Sequence, residues 1–215
     1  MATKLNLWNE AQVKRAESTW GHTVHPYSED LFNFAIKSGD SFLDLGCGFG
    51  RFLEYLINNH PNKDFEYIGY DSSPEMIERT KERFPDYSSR LFVKDITLPI
   101  RHTPKVVISS AVFIHLASPD QVKILKNLSV VNSAVAIGLD INCLSPSELG
   151  KETFTEKHLR IGTGTFRMAW QDRETFEKRL VKNFPNFSVS HKAYPLAGGR
   201  FKTMFFLTKK GTYIV

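Results

Sequence analysis

Compact apolar runs recur along the chain at Ser41–Leu45, Tyr67–Asp71, Leu91–Lys94, Val106–Ser110 and Val135–Ile141. Runs of this length, without polar alternation, are what a strand buried on both faces requires, and they predict a mostly parallel sheet. The longer mixed segments between them predict the covering helices. Ser73-Pro74-Glu75 opens one over Met76–Phe84: the Ser73 side chain can cap it, and proline pre-sets the backbone of a first helical turn. Others are predicted over Pro26–Lys37, before the first strand, and Asp172–Asn183, before the last pair. That last pair, Phe187–Tyr194 and Lys202–Thr208, flanks Gly198-Gly199 and predicts an antiparallel hairpin. Five runs and a hairpin make a seven-stranded, mostly parallel α/β sandwich of three layers.

The 215 residues suit one such domain. Two segments fit no strand-helix unit: residues 1–25, and residues 143–171 with the cluster Gly162-Thr163-Gly164-Thr165. Loops of this length in a compact domain are often lids or binding loops, and that is the expectation for both.

The chemically informative segment is Phe42-Leu43-Asp44-Leu45-Gly46-Cys47-Gly48-Phe49-Gly50-Arg51. An apolar strand ends there in a glycine loop that leads into a helix. Lacking a Cβ, the glycines permit a tight turn and let a ligand approach the backbone, at the strand end where α/β folds bind ligands. The dinucleotide fingerprint Gly-x-Gly-x-x-Gly would need glycine at position 51, where Arg51 stands. The spacing is instead Gly-x-Gly-x-Gly, preceded by Asp44. Asp71 ends the second apolar run and Asp95 follows the third.

In these features the chain resembles the class I S-adenosylmethionine-dependent methyltransferases, from about Pro26 to Thr208. The resemblance implies a Rossmann-like fold, with residues 26–142 as the cofactor-binding half and 172–215 as the last helix and hairpin. It implies S-adenosyl-L-methionine as cofactor, leaving S-adenosyl-L-homocysteine as product. Asp71 would accept from the ribose hydroxyls, as a carboxylate suits a vicinal diol. Asp95 would receive the adenine amino group and Asp44 the methionyl ammonium. Gly46, Cys47, Gly48 and Gly50 would form the loop, and Ser110 and Ala111 would bring backbone beside the methionine portion. Ser72, Met76 and Ile96 complete the expected lining, although Met76 and Phe113 read equally well as core, and Cys47 as a small buried filler.

Methyl transfer needs positioning and, for some acceptors, a base. His115 is the candidate base, and a ring bonded to backbone is its structural alternative. The acceptor-side candidates are Trp20, His25, Tyr27, Arg160, Arg167 and Arg200, aromatic and cationic side chains suited to an aromatic or anionic small molecule. The chain lacks the Asn/Asp-Pro-Pro-aromatic motif of amino-group enzymes, the Lys-Asp-Lys-Glu tetrad of ribose enzymes and the double-glutamate loop of arginine enzymes. Cys143 follows Asn142 and so lacks the Ser/Thr-Cys context of a cytosine-methylating nucleophile. These absences favour a small-molecule acceptor, methylated on oxygen or nitrogen. The alternatives are an RNA methyltransferase and a non-catalytic S-adenosylmethionine-binding protein.

Composition changes little of this. Hydrophobic content of 41% and charged content of 24% are those of a globular chain. The first residues hold no apolar leader, and no apolar run approaches the ~18 residues of a membrane span, so a cytoplasmic protein without membrane contact is expected. Two cysteines suggest no disulfide framework, and His22 and His25 lack the partners of a metal site. Charge, however, is uneven. Residues 1–105 carry 13 Lys+Arg against 15 Asp+Glu, and residues 106–215 carry 15 against 8. The basic excess is C-terminal: a solvated face on one reading, a surface for anionic partners on the other.

Overall fold

In the computed structural model, which describes residues 10–19, 24–61, 64–149, 154–161 and 164–212, the apolar run Ser41–Leu45 becomes the central strand β1. Glu66–Asp71 (β2) and Leu91–Val93 (β3) extend the sheet to one side, and Val106–Ser109 (β4) and Ala136–Cys143 (β5) to the other, all parallel. The winding therefore reverses between β1 and β4, and such a switch point opens a crevice at the carboxyl ends of the strands. The helices are α1 (Glu10–Thr19), α2 (Pro26–Ser38), α3 (Arg51–Asn59), α4 (Pro74–Arg83), α5 (Ser118–Ser129) and α6 (Arg173–Asn183). The Ser73 hydroxyl accepts from the Met76 N–H at 3.2 Å, and Asp172 accepts from the Thr175 N–H at 2.8 Å. These caps satisfy amides that the first turn leaves without partners, which is why α4 and α6 start there.

Two apolar layers hold the helices to the sheet. On one face Phe32 of α2 and Phe52 and Leu53 of α3 pack with Phe42, Tyr67 and Ile108. On the other, Leu125 and Leu128 of α5 and Phe176 and Leu180 of α6 pack with Leu45, Val107, Ile137 and Leu139. Beyond these layers Val13 and Ala16 of α1 cluster with Phe49 and Met76. Arg79 of α4 pairs with Glu17 of α1 at 2.7 Å, which holds α1 near the glycine loop.

The expected C-terminal hairpin forms between β8 (Phe187–Pro195) and β9 (Phe201–Lys209), and β9 runs antiparallel to β5. Among the described residues the sheet has nine strands rather than the expected seven. The extra pair is the 143–171 segment: Phe154–Ile161 (β6) and Gly164–Gln171 (β7) are antiparallel, and β7 meets β5 in parallel through Cys143 and Gln171. That segment mixes polar and apolar residues and so lacks the continuous apolar run of a central strand. Among the described residues no helix is long and apolar enough to cross a membrane.

Candidate functional site

The glycine loop is bound to the end of β2. The Tyr70 carbonyl accepts from the Gly46 and Cys47 N–H groups at 2.7 and 2.9 Å. Gly46 has φ of 76°, and a Cβ there would lie 2.3 Å from the Val112 side chain. Only glycine fits both the conformation and the space. Asp71, buried at the end of β2, fastens the next part of the loop: one carboxylate oxygen accepts from Gly48 N–H at 3.0 Å, the other from Ser73 N–H at 2.9 Å. Burial pushes its pKa up, and these amides oppose the shift.

A cavity opens over this loop. Gly46, Cys47, Gly48, Asp71, Ser72 and Met76 line one part of it, and Asp95, Ile96, Ser110, Ala111 and His115 the rest. Sequence reading missed Ala16, Phe49, Arg51, Val112 and Leu116, which line it too. Arg51 was noticed only as a departure from the dinucleotide pattern; its place at the first turn of α3, next to the loop, was the available signal. Ala16 comes from α1, too distant in sequence for a local pattern to connect it.

Two of the residues expected at the cofactor stand outside the lining. Asp44 is turned into the core, where it accepts from the Tyr67 hydroxyl at 2.9 Å, and burial pushes its pKa up to about 7. Gly50, with φ of 73°, lies against Thr80 and Phe84 and starts α3. Asp95 lines the cavity while its Oδ1 accepts from the Thr97 N–H and hydroxyl at 2.8 and 2.7 Å. The Cys47 thiol is pushed up in pKa by burial.

His115 sits in a single 3-10 turn, Phe113–His115, its Nδ1 2.8 Å from the Arg167 carbonyl on β7. A carbonyl only accepts, so Nδ1 carries the proton and, in the neutral ring, Nε2 keeps a lone pair. Burial lowers the pKa of this imidazole, which favours the neutral form. His25 and Tyr27 stack on each other at 4.9 Å at the start of α2, outside the lining. Arg167 contributes that carbonyl, and its side chain is outside the lining as well. Arg200 also lies elsewhere: its guanidinium takes Glu148 in a two-pronged pair and covers Trp170 at 4.6 Å. A carboxylate and an indole supplied by the chain itself outcompete solvent for a planar cation, so this arginine anchors β7. Trp20 and the Arg160 side chain lie outside the described residues. The Cys143 thiol is 3.0 Å from the Thr203 hydroxyl and is pushed up to about 11 by burial, which leaves little thiolate at neutral pH.

Residues 43–131 match the family described as a methyltransferase domain. A trans-aconitate 2-methyltransferase of Methylobacterium radiotolerans is 31% identical over 56% of this chain and 44% of its own length. The enzyme of the same name from Rhodopseudomonas palustris is 25% identical over 76% and 58%. This chain thus spans about half the length of these curated relatives. A Mycobacterium tuberculosis protein designated a methyltransferase by name is 32% identical over 51% of this chain and 68% of its own length. Among solved structures, an S-adenosylmethionine-dependent methyltransferase from Clostridium acetobutylicum superposes with a TM-score of 0.64 at 16% identity, covering 92% of this chain and 97% of its own. Magnesium protoporphyrin IX methyltransferase from Synechocystis, solved with S-adenosylhomocysteine bound, gives 0.62 at 14% identity over 94% and 95%. At such identities the structures speak for the fold alone. Taken with the matched domain, the M. tuberculosis relative, the Gly46–Gly50 loop and the strand-end acids, they show that the chain belongs to the class I S-adenosylmethionine-dependent methyltransferases.

Proposed function

We propose that this protein transfers a methyl group from S-adenosylmethionine to a small acceptor bearing a carboxylate. The carrying observation is one cavity that joins the glycine loop, Asp71 and Asp95 to a cation, Arg51, and a histidine, His115. The lining fits the cofactor: Gly48, where a Cβ would meet only the Met76 sulfur at 3.7 Å, leaves its backbone open to approach, and Met76, Ile96 and Leu116 give apolar surface. A carboxylate has about four lone-pair sites, so Asp71 can accept from ribose hydroxyls while it holds Gly48 and Ser73. Asp95, with Oδ1 given to Thr97, offers Oδ2 to the adenine amino group. When bound, the cofactor supplies an electrophilic methyl on a sulfonium.

Arg51 provides a planar fork that matches a carboxylate. A carboxylate is already ionised at neutral pH and asks for orientation, not proton removal, so the lone pair of His115 Nε2 has no proton to take from it. For a hydroxyl acceptor the same lone pair takes the proton. The names of the trans-aconitate relatives support the anionic class.

The RNA alternative draws on the C-terminal basic excess and on a fold likeness to the small RNA methyltransferase HEN1, with a TM-score of 0.63 at 15% identity. Lys192 pairs with Asp30 of the first half, which takes one cation out of that excess, while Arg200 with Glu148 and Lys202 with Asp140 hold two further cations in pairs already counted in the balance. Pairing leaves less charge for phosphates.

The test is calorimetry followed by an acceptor panel with a labelled methyl group. S-adenosylmethionine and S-adenosylhomocysteine bind, NAD and NADP do not, and label passes to small carboxylates. Label appearing on RNA with a steep salt dependence would select the alternative, and absence of binding to either sulfur ligand would refute the cofactor reading.

A further inference from the structure

Ala111, which lines the cavity, has φ of 60° and is the only non-glycine residue with positive φ among the described residues. An L-residue there meets a steric penalty worth about a tenfold bias against the conformation. Something must hold it. The Ala111 N–H donates to Asp140 Oδ1 at 2.5 Å, and Asp140 is wholly buried in β5. The other oxygen, Oδ2, pairs with the ammonium of Lys202 on β9, itself 4% exposed. Thus a carboxylate is buried in the sheet, neutralised by a lysine on the neighbouring strand and aimed at one backbone amide in the cavity wall. Burying a charge pair is costly and stabilises little by itself. Its retention at this point calls for a task other than holding β5 to β9, which eight backbone residue pairs already do.

We propose that the Asp140–Lys202 pair clamps Ala111 in its left-handed conformation, and so sets the cavity wall against which the methionine portion of the cofactor lies. Asp140 and Lys202 are positioning residues on this account. They touch neither ligand but decide where Ser110, Ala111 and Val112 stand. The packing of Val112 against Gly46 carries the constraint to the glycine loop, where the Val112 methyl groups fill the space a Cβ would need. The inference rests on the cofactor reading above and adds to it the device that shapes the site.

Two double variants separate the roles of charge and acceptor. Asp140→Asn/Lys202→Met removes both charges and keeps a side-chain carbonyl for the Ala111 N–H. Asp140→Leu/Lys202→Met removes the acceptor as well, at similar volume. Measured by calorimetry with S-adenosylhomocysteine, the first binds within about twofold of the wild-type protein and the second about tenfold more weakly. Adding Ala111→Gly to the second recovers most of the loss, since glycine adopts positive φ without the Cβ penalty. Equal affinities in the Asn and Leu versions, or no recovery on adding glycine, would overturn the clamp. If the Leu version does not fold, amide exchange in the wild-type protein decides: a slowly exchanging Ala111 N–H supports the clamp, and exchange at the free-peptide rate excludes it. Failure of the wild-type protein to bind the ligand would instead refute the cofactor reading, while the amide exchange still reports on the clamp.

Discussion

At the scale of single residues, the strand-end acids do more than meet a ligand. Asp71 was expected to have its partner in the cofactor, yet both its oxygens accept buried backbone amides. Hydrogen bonds to a charged group are worth about 1.5–3 kcal/mol. Asp71→Ala is therefore expected to lower the melting temperature by several degrees and to weaken S-adenosylmethionine binding at least about tenfold. Paired melting and calorimetry curves check this, and a loss of affinity at unchanged melting temperature would show that the loop does not depend on the carboxylate. Asp44 behaves in the opposite sense. Burial lifts its pKa from 3.8 to about 7, so folding takes up a proton between those values and stability falls as pH rises through that window. Asp44→Asn removes the charge and keeps an acceptor for Tyr67. The variant is expected to melt higher than wild type at pH 8, with the gain vanishing near pH 4. A constant difference across the range would exclude Asp44 as the source. Its affinity for the methionyl end should drop in parallel if the carboxylate also serves the cofactor's ammonium.

At the scale of elements, the added β6–β7 pair borders the cavity. It touches the cavity through the Arg167 carbonyl on His115, and Arg200 fastens it by gripping Glu148 and covering Trp170 of β7. Arg200 was expected at the acceptor mouth, so its replacement was expected to act by lost charge. The geometry assigns the effect to lost anchorage. Arg200→Ala and Glu148→Ala should therefore raise the Michaelis constant for the acceptor alike, although one removes a cation and the other an anion, and both should leave S-adenosylhomocysteine affinity within about twofold. Steady-state kinetics on the acceptor found by the panel would check this. Opposite effects of the two substitutions would restore a direct role for the Arg200 charge.

At the scale of the whole molecule, ligand and fold are linked because the cavity is assembled from α1, the glycine loop and the ends of β2, β4 and the Asp95 segment. A ligand that binds only the assembled state stabilises it by about 2.7 kcal/mol at a hundred times its dissociation constant. For a domain of this size each kcal/mol moves the melting temperature by roughly 2–4 °C. Saturation with S-adenosylhomocysteine is thus expected to raise melting by several degrees, and this shift is the quickest screen for the binding proposed above. The charge asymmetry of the chain also resolves at this scale. A cation of the second half, Lys192, meets an acid of the first, Asp30, so net charge by segment overstates the free positive surface by that pair.

The apolar runs, Gly46 to Gly50, the Ser73 cap and the Gly198-Gly199 turn were legible in the sequence. They rest on short-range rules: strand period, turn conformation, and amides left without partners in a first helical turn. The lining residues Cys47, Asp71, Asp95 and Ala111 followed from those rules together with the family resemblance. What only the tertiary structure decided are pairings between distant elements: Asp44 with Tyr67, Arg200 with Glu148, Ala16 above the loop, and Asp140 with Lys202 and the Ala111 amide. An isolated aspartate inside an apolar strand, or a lysine in a hairpin, carries no local sign of its partner. Burial makes such groups find partners, but which ones depends on the order in which the sheet places its strands, and no short-range pattern encodes that.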